Sequence, residues 1–450
     1  MIQRTIFGYL DELAFRATSV PLLLTGARQT GKAFAILQLS RKFSQVIHIR
    51  LDDPKWQNFF LANDPPEEVL SGLFYLNGKS PAVKRTLLFL EEIQESPLAI
   101  RFVKNLHSPG TGLFIAATSS RLTPGLESWP EGREGTPGRL NIFPCTFSEF
   151  LGSLEDPELE KGYREVPIPA FMREKLMKKF HLYTLTGGMP EILQRYQEDH
   201  HLSGLKTMFD KILENQTTWA LRDIKPETRG MMTGFILQNA FPYAATRIKF
   251  SDFGNAPYRS REMGETFRRL ESLMLLKLIY PSTATSLPAV PDTGRFPRLH
   301  IPDTGMVSHF SGIQKELYHP ADMNVLFGGQ IARQVVGQEL RAVGTQAGDL
   351  HFWVRPKLQS TAEVDFLVKY HKMVIPVEVK SGEPGRLRSL HQFMDEAPHP
   401  FAVRLYTGPV SIQQTSTIRG KKFFLMSLPY FLAGRINEHL DGFIKFVNAV

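Results

Sequence analysis

Cysteine is almost absent from this chain. Cys145 is the only one in 450 residues, so no internal disulfide framework is open to it, and the sparseness fits a reducing, intracellular setting. Cys145 lies among Phe143, Pro144 and Phe147 and reads as a small buried hydrophobe rather than a reactive thiol. Long apolar runs are missing too, and none approaches the length that spans a membrane. The first eighteen residues carry charges throughout and lack the pattern of a signal peptide, so a soluble cytoplasmic protein is expected. The 13 histidines, including His200, His201 and His300, show no metal-ligand spacing. Acidic residues are fewer than basic ones, 45 against 53, for a net charge of +8. That balance permits contact with nucleic acid, but the basic residues are spread along the chain and form no tail.

Hydrophobic residues make up 42% of the chain, enough for more than one core, and the length suits about three domains. The stretch that organises the rest is Pro21-Leu22-Leu23-Leu24-Thr25-Gly26-Ala27-Arg28-Gln29-Thr30-Gly31-Lys32-Ala33. An apolar strand, a glycine-flanked turn and a helix follow one another, as a phosphate-binding loop requires. Gly26 and Gly31 let the loop from Ala27 to Thr30 turn its amides toward an anion, and Lys32 stands where it would meet the outer phosphates. The hydroxyl residue that usually closes the motif and binds Mg²⁺ is replaced by Ala33. A plain glycine-containing turn with an incidental lysine is the competing reading of the loop alone.

Around it the pattern is that of a doubly wound α/β domain. Met1 to Phe15 reads as an amphipathic helix with Ile6, Leu10 and Phe15 on one face. Val46 to Leu51, Thr86 to Leu90 and Leu113 to Ala117 read as strands, the last two buried on both sides. The second of these ends in Glu91-Glu92, an acidic pair expected at a strand tip beside the loop. The third ends in Thr118-Ser119-Ser120, hydroxyls suited to sensing a γ-phosphate. The passage from Thr123 to Gly138 is rich in glycine and proline and reads as an exposed loop.

Leu24 to Lys32, Leu51-Asp52-Asp53, Leu90-Glu91-Glu92-Ile93-Gln94, Thr118-Ser119-Ser120, Gly138-Arg139 and Phe147-Ser148-Glu149-Phe150 form an ordered set. Together they resemble the prokaryotic AAA-type ATPases whose C-terminal half is a domain of unknown function with a restriction-endonuclease-like fold. Tyr183 to Glu191 is similar to that family's Y-L-x-x-G-G-x-P-E segment, Thr218 to Ile224 to the end of a long helix there, and Leu299 to Gly305 to a strand leading into D-x-G. The chain departs from the pattern at Ala33, at Glu91 where aspartate is usual, and at Arg333 where a helix glutamate is usual.

The resemblance implies an AAA-type domain over residues 1–155, a helical and winged-helix-like region over 156–285, and a restriction-endonuclease-like α/β domain over 286–450. A Pro-rich linker is expected from Pro281 to Pro297. In the middle region Ser251 to Gly254 and Thr266 to Leu273 read as a small winged helix, with Arg261, Arg268 and Arg269 as candidate contacts to DNA phosphates or, equally, as a solvated basic face. In the last region Asp365 with Glu378-x-Lys380 is the D…E-x-K arrangement. Residues two apart on a strand share a face, so Glu378 and Lys380 point together, and Asp365 on a neighbouring strand completes a carboxylate pair for Mg²⁺. A surface ion pair is the plainer alternative.

Three functional readings stand on these residues. The first is an ATP-binding AAA-type switch or ATPase coupled to a nuclease-like module. In it Glu91 holds hydrated Mg²⁺, Glu92 orients or deprotonates the attacking water and Ser119 or Ser120 senses the γ-phosphate. Arg139 is then a candidate arginine finger or sensor, within the chain or across the subunit interface of a homo-oligomer, or equally a salt-bridge residue that orders the Gly/Pro-rich loop. The second is a non-hydrolysing nucleotide- or DNA-binding scaffold with degenerate metal sites. The third is a metal-dependent DNA nuclease regulated by nucleotide, with Lys380 stabilising the transition state. Expected cofactors are ATP and Mg²⁺, with DNA as the candidate macromolecular partner.

Overall fold

A computed structural model of the chain describes residues 2–15, 20–60, 64–106, 112–130, 138–222, 224–313, 329–343, 350–356, 361–380 and 387–449. They form two compact units, one of Gln3–Phe143 with Ser272–Met274, the other built on Pro144–Glu271 and Leu275–Val450. Among the described residues no helix is long and apolar enough to cross a membrane. Asp223, within the segment compared with a helix end, and positions 131–137 of the Gly/Pro-rich passage lie outside the described residues.

The first unit is a five-stranded parallel sheet of β1 (Leu22–Thr25), β2 (Gln45–Arg50), β3 (Thr86–Glu91), β4 (Leu113–Ser119) and β5 (Arg139–Asn141), in the order β2-β3-β4-β1-β5. Strand residues alternate between two cores. Leu23, Ile47, Ile49, Leu88, Leu90, Ile115 and Ala117 pack on one face with the helices Pro66–Leu76 and Pro97–Asn105. Leu22, Leu24, Leu87, Phe89, Phe114 and Ala116 pack on the other with α1 (Thr5–Phe15) and α2 (Lys32–Ser40). Burial on both faces is why these strands read as unbroken apolar runs. On α1 the buried positions are Leu10 and Leu13, with Ile6 packed against them. The side chain of Phe15 is outside the described set.

One expectation changes here. The passage after Thr123 is not simply exposed. Its described beginning forms a helical turn, Pro124–Glu127, that buries Leu126, and Trp129 is buried with its indole N–H donating to the Pro21 carbonyl at 2.8 Å. Between β1 and the strand carrying Glu91 runs β4.

In the second unit the middle and carboxyl-terminal segments, expected as separate domains, pack together. The helix Phe147–Gly152, opened by a Thr146–Glu149 capping box, brings Phe147 and Phe150 into an aromatic cluster with Tyr163, Phe180, Tyr183 and Phe431. The Tyr163 hydroxyl donates to the Phe431 carbonyl at 2.9 Å. Glu339 is buried against the same cluster, where its Oε1 accepts from the Tyr183 hydroxyl at 2.8 Å and the Phe147 amide at 3.0 Å. The two glycine-containing motifs meet here as well. Asp303 caps the helix Thr304–Phe310 through the Met306 amide and accepts from the Gly188 amide at 2.6 Å. A Cβ on Gly188 would lie 2.1 Å from the Cys145 carbonyl, and one on Gly187 2.2 Å from Asp303 Oδ1, so neither site tolerates a side chain.

A seven-stranded mixed sheet completes this unit. Its strands are β7 (Pro281–Ser282), β9 (His351–Val354), β10 (Glu363–Tyr370), β11 (Met373–Val379), β12 (Phe401–Tyr406), β13 (Ser411–Ser416) and β14 (Lys422–Pro429), in the order β13-β14-β12-β11-β10-β9-β7. A separate antiparallel pair is formed by β6 (Lys277–Ile279) and β8 (Arg298–His300). β9, β10 and β11 form an antiparallel meander, and the helix Arg388–Glu396 crosses to β12, which runs parallel to β11. The expected linker therefore begins inside the fold. Pro281 and Ser282 pair with Phe352 and Trp353 at the sheet edge, where a residue lacking an N–H is tolerated. The opposite edge, β13, is largely exposed and polar.

Burial drives the Glu339 carboxyl up to about 7, against the hydrogen bonds from Tyr183 and Phe147. A raised acid favours folding while it is protonated, so its contribution fades as pH rises from about 4.5 through 7. Glu339→Gln should flatten that slope. Relative to the variant, the wild type is expected to lose on the order of 2–3 kcal/mol between about pH 5 and pH 8, read from urea unfolding at the two pH values.

Candidate nucleotide site

The loop from Gly26 to Lys32 leaves the carboxyl end of β1 between β4 and β5. Its first amide, on Gly26, donates to the Ser119 carbonyl of β4 at 3.2 Å, and on the other side the Ile142 amide donates to the Thr25 carbonyl at 2.7 Å. A Cβ on Gly26 would sit 2.2 Å from the Ile142 carbonyl oxygen, so only glycine passes here. Gln29 (φ 65°) and Gly31 (φ 92°) take the left-handed conformation that curls the loop into α2. The Thr30 hydroxyl donates to the Ala27 carbonyl at 2.9 Å, and Arg4 holds the Thr30 carbonyl at 3.0 Å. Ala33, in the first turn of α2, offers no hydroxyl and packs against the core.

Lys32 is 5% exposed, and its ammonium donates to the carbonyls of Gly26 at 3.0 Å and Ala27 at 2.8 Å. Burial lowers its pKa to about 8, Arg28 adds to the effect, and the negative field of Glu92, then Glu91, opposes it. The two acids have different surroundings. Glu91 turns to β2, where His48 Nε2 meets its Oε2 at 2.8 Å and the His48 ring stacks on Phe89. Glu92 takes a left-handed backbone (φ 55°), its amide donating to the Thr118 hydroxyl at 3.2 Å. Its carboxylate accepts from the Ser120 hydroxyl at 2.8 Å and from the Gln94 amide at 2.5 Å. Ser119 is wholly buried and donates to the Arg121 carbonyl at 2.6 Å, so Ser120 is the hydroxyl that meets the acid. Arg139 is level with Leu23, three residues before Gly26. That is about 10 Å along the strand from the loop, and the structure does not bring it to Lys32.

The loop therefore fits phosphates, with curled amides, a helix start and a lysine held at its rim. For Mg²⁺ the fit is narrower. Ala33 supplies no ligand and Glu91 is engaged by His48, which leaves Glu92 as the acid whose field dominates at Lys32.

The second constellation does come together. The register pairing Phe366 with Val377 brings Asp365 opposite Glu378, and Asp365 Oδ2 accepts from the Val379 amide at 2.9 Å. Lys380 Nζ lies 3.1 Å from Glu378 Oε1, as the two-residue spacing predicts. Burial, then the Asp365 charge, raises the Glu378 carboxyl, while Lys380 opposes the shift. Sequence reasoning missed Arg298, Glu363 and His48. Arg298 is buried, donates to the Asp365 carbonyl at 2.7 Å, and its guanidinium is hydrogen-bonded to Glu363. The one available signal was the Glu363-x-Asp365 spacing, which puts both acids on one strand face. Among the described residues no group of three or more His, Cys, Asp or Glu could hold a metal ion.

The sheet order and loop are those of a P-loop-like α/β domain. Residues 18–151 match the family model of an AAA domain, 177–317 a domain of unknown function (DUF8612), and 328–427 another (DUF4143). An uncharacterized protein of Methanocaldococcus jannaschii is 26% identical over 208 residues, 45% of this chain and 43% of that protein, so the match spans less than half of the relative. A Walker-type ATPase of Pyrococcus abyssi overlays at a TM-score of 0.43 with 12% identity, over 69% of this chain and 96% of its own. A signal transduction ATPase with numerous domains and a tetratricopeptide repeat sensor, from Pyrococcus horikoshii, gives 0.27 with 13% identity, over 76% and 46%. The expected AAA domain is thus matched over residues 18–151, whereas the last region matches only a domain of unknown function.

A lysine buried at about 8 regains its proton when phosphates replace the loop carbonyls as partners. Nucleotide binding should then take up close to one proton at about pH 9 and very little at about pH 6.5. Calorimetry in buffers of different ionisation enthalpy reads the uptake, and it should vanish in Lys32→Ala.

Proposed function

We propose that this chain is an ATP-hydrolysing, AAA-type nucleotide switch coupled to a nuclease-like module in the second unit. The observation that carries the reading is the Lys32–Glu92 arrangement. A buried lysine at the rim of a glycine-gated loop lies in the field of an acid oriented by Ser120 and Gln94. In this reading the amides from Ala27 to Ala33 cradle the phosphates and Lys32 leaves its carbonyls for the outer ones. Glu92, held by two hydrogen bonds, orients or deprotonates the attacking water, and Ser120 couples that acid to the state of the γ-phosphate. Mg²⁺, when bound, would neutralise phosphate charge, with Glu92 and Glu91 as its nearest acids. Arg139 fits better as a finger offered to a neighbouring copy in a homo-oligomer than as one acting within the chain.

The coupled module is read from its element order. The helix Gln330–Ala342, the meander β9-β10-β11, a crossover helix and the parallel strand β12, with Asp365, Glu378 and Lys380 on one face, follow the restriction-endonuclease-like plan. Upstream, the helix Glu227–Asn239, a bridge between Arg247 and Arg298, the helix Ser260–Ser272 and the β6–β8 pair follow a winged-helix order. DNA is the partner this suggests, and the exposed Arg261 and Arg268 are candidate phosphate contacts, although Arg261 is paired with Glu265 at 3.2 Å. A cytoplasmic setting belongs to the same reading and rests on the single cysteine.

The second reading, nucleotide binding without hydrolysis, is favoured by Ala33 and by the His48–Glu91 pair, both of which weaken the metal's hold. ATP turnover measured beside nucleotide binding separates the two. Wild type is expected to turn over, and Glu92→Gln to lose about 10²–10⁴-fold in rate while still binding. Binding without turnover in wild type, restored by Ala33→Thr, would sink the hydrolytic reading and establish the second.

A further inference from the structure

The D…E-x-K arrangement ordinarily gathers its carboxylates around a divalent ion, and this site already contains the countercharge. Arg298 is 3% exposed, and its Nη2 lies 3.7 Å from Asp365 Oδ1. Arg333 Nε approaches the same oxygen at 3.9 Å. Asp365 Oδ2 is occupied by the Val379 amide, and Lys380 lies against Glu378 Oε1. Arg298 is fixed from every side. It donates to the Asp365 carbonyl, bonds Glu363, and lies over the rings of Phe352 at 4.5 Å and Phe366 at 5.7 Å. Arg247 adds a further positive charge 3.7 Å from Glu363.

A hard divalent ion needs about six oxygen ligands, at roughly 2.0–2.1 Å for Mg²⁺. Here one buried carboxylate oxygen, Glu378 Oε2, is without a partner, and the other acid faces guanidinium groups that stay charged at any working pH. The donor set does not fit a metal. We propose that Arg298 and Arg333 permanently take the place of a divalent cation at the Asp365–Glu378 pair, so that this site binds no metal and does not cut phosphodiesters through metal-activated water.

The proposal rests on the nuclease-like reading of the module and is independent of the phosphate loop, because its test is run without nucleotide. Full-length protein is titrated with Mn²⁺, the free ion being counted by electron paramagnetic resonance, with circular dichroism as a check on folding. Wild type is expected to show no Mn²⁺ binding that depends on Glu378. Arg333→Glu, which restores an acid and removes a cation, should gain one site about 10-fold or more tighter than any in wild type, and adding Glu378→Gln should abolish it. Arg333→Gln, the milder change, should admit Mn²⁺ more weakly at the same position. In both single variants Mn²⁺ should raise the unfolding temperature, and in wild type it should not. A wild-type Mn²⁺ site lost in Glu378→Gln would overturn the proposal. So would folded Arg333→Glu and Arg333→Gln proteins that gain none.

Discussion

The first unit depends on β1 being hydrogen-bonded on both sides at once. Held by β4 on one flank and β5 on the other, it is among the most enclosed strands of the sheet, and all four of its residues are buried. A chain leaving such a strand has one way out, over the Ile142 carbonyl, and only a residue without a side chain can take it. The loop's shape, the start of α2 and the seat of Lys32 all follow from that passage. The neighbouring β4 then sets what the loop faces, with the Ser119 carbonyl receiving its first amide and Ser120 carrying the link to Glu92.

The second unit is held by acids kept away from water. Asp303 is driven up to about 6 by burial, although four backbone amides pull it the other way. It joins the helix it caps to the close approach of Gly188 and Cys145. Glu339 does the same between the aromatic cluster and the helix Gln330–Ala342. Each costs desolvation, and each puts a charge-bearing group where several segments meet, so a misassembled arrangement would leave it without partners. These contacts tie the middle and carboxyl-terminal segments together within the second unit.

Much of this was legible in the residues. Strands buried on both faces read as apolar runs, and a phosphate loop is a steric demand on two glycines and a lysine, so both can be found without coordinates. The D…E-x-K trio was legible for a similar reason, since the two-residue period of a strand fixes which side chains share a face. The different surroundings of Glu91 and Glu92 were not, because they turn on one left-handed residue and on a histidine in β2, three strands away from β1. Arg298 was invisible for another reason. It reaches Asp365 across 67 positions of sequence, and nothing local marks an arginine as buried. The edge strand at Pro281 was hidden by its own composition, which is that of a linker.

The two ends of the seven-stranded sheet bear on how the protein behaves in a crowded solution. At one end β7 is two residues long and begins with Pro281, which has no amide hydrogen to offer a passing strand. At the other β13 exposes Ser411, Gln413 and Gln414, polar groups that water solvates well. An open border on a sheet of this width is a template for edge-to-edge growth into aggregates. The Pro281 border is protected because it is too short to pair, whereas β13, six residues long, exposed and uncharged, with Ile412 among its outward residues, stays open to an added strand.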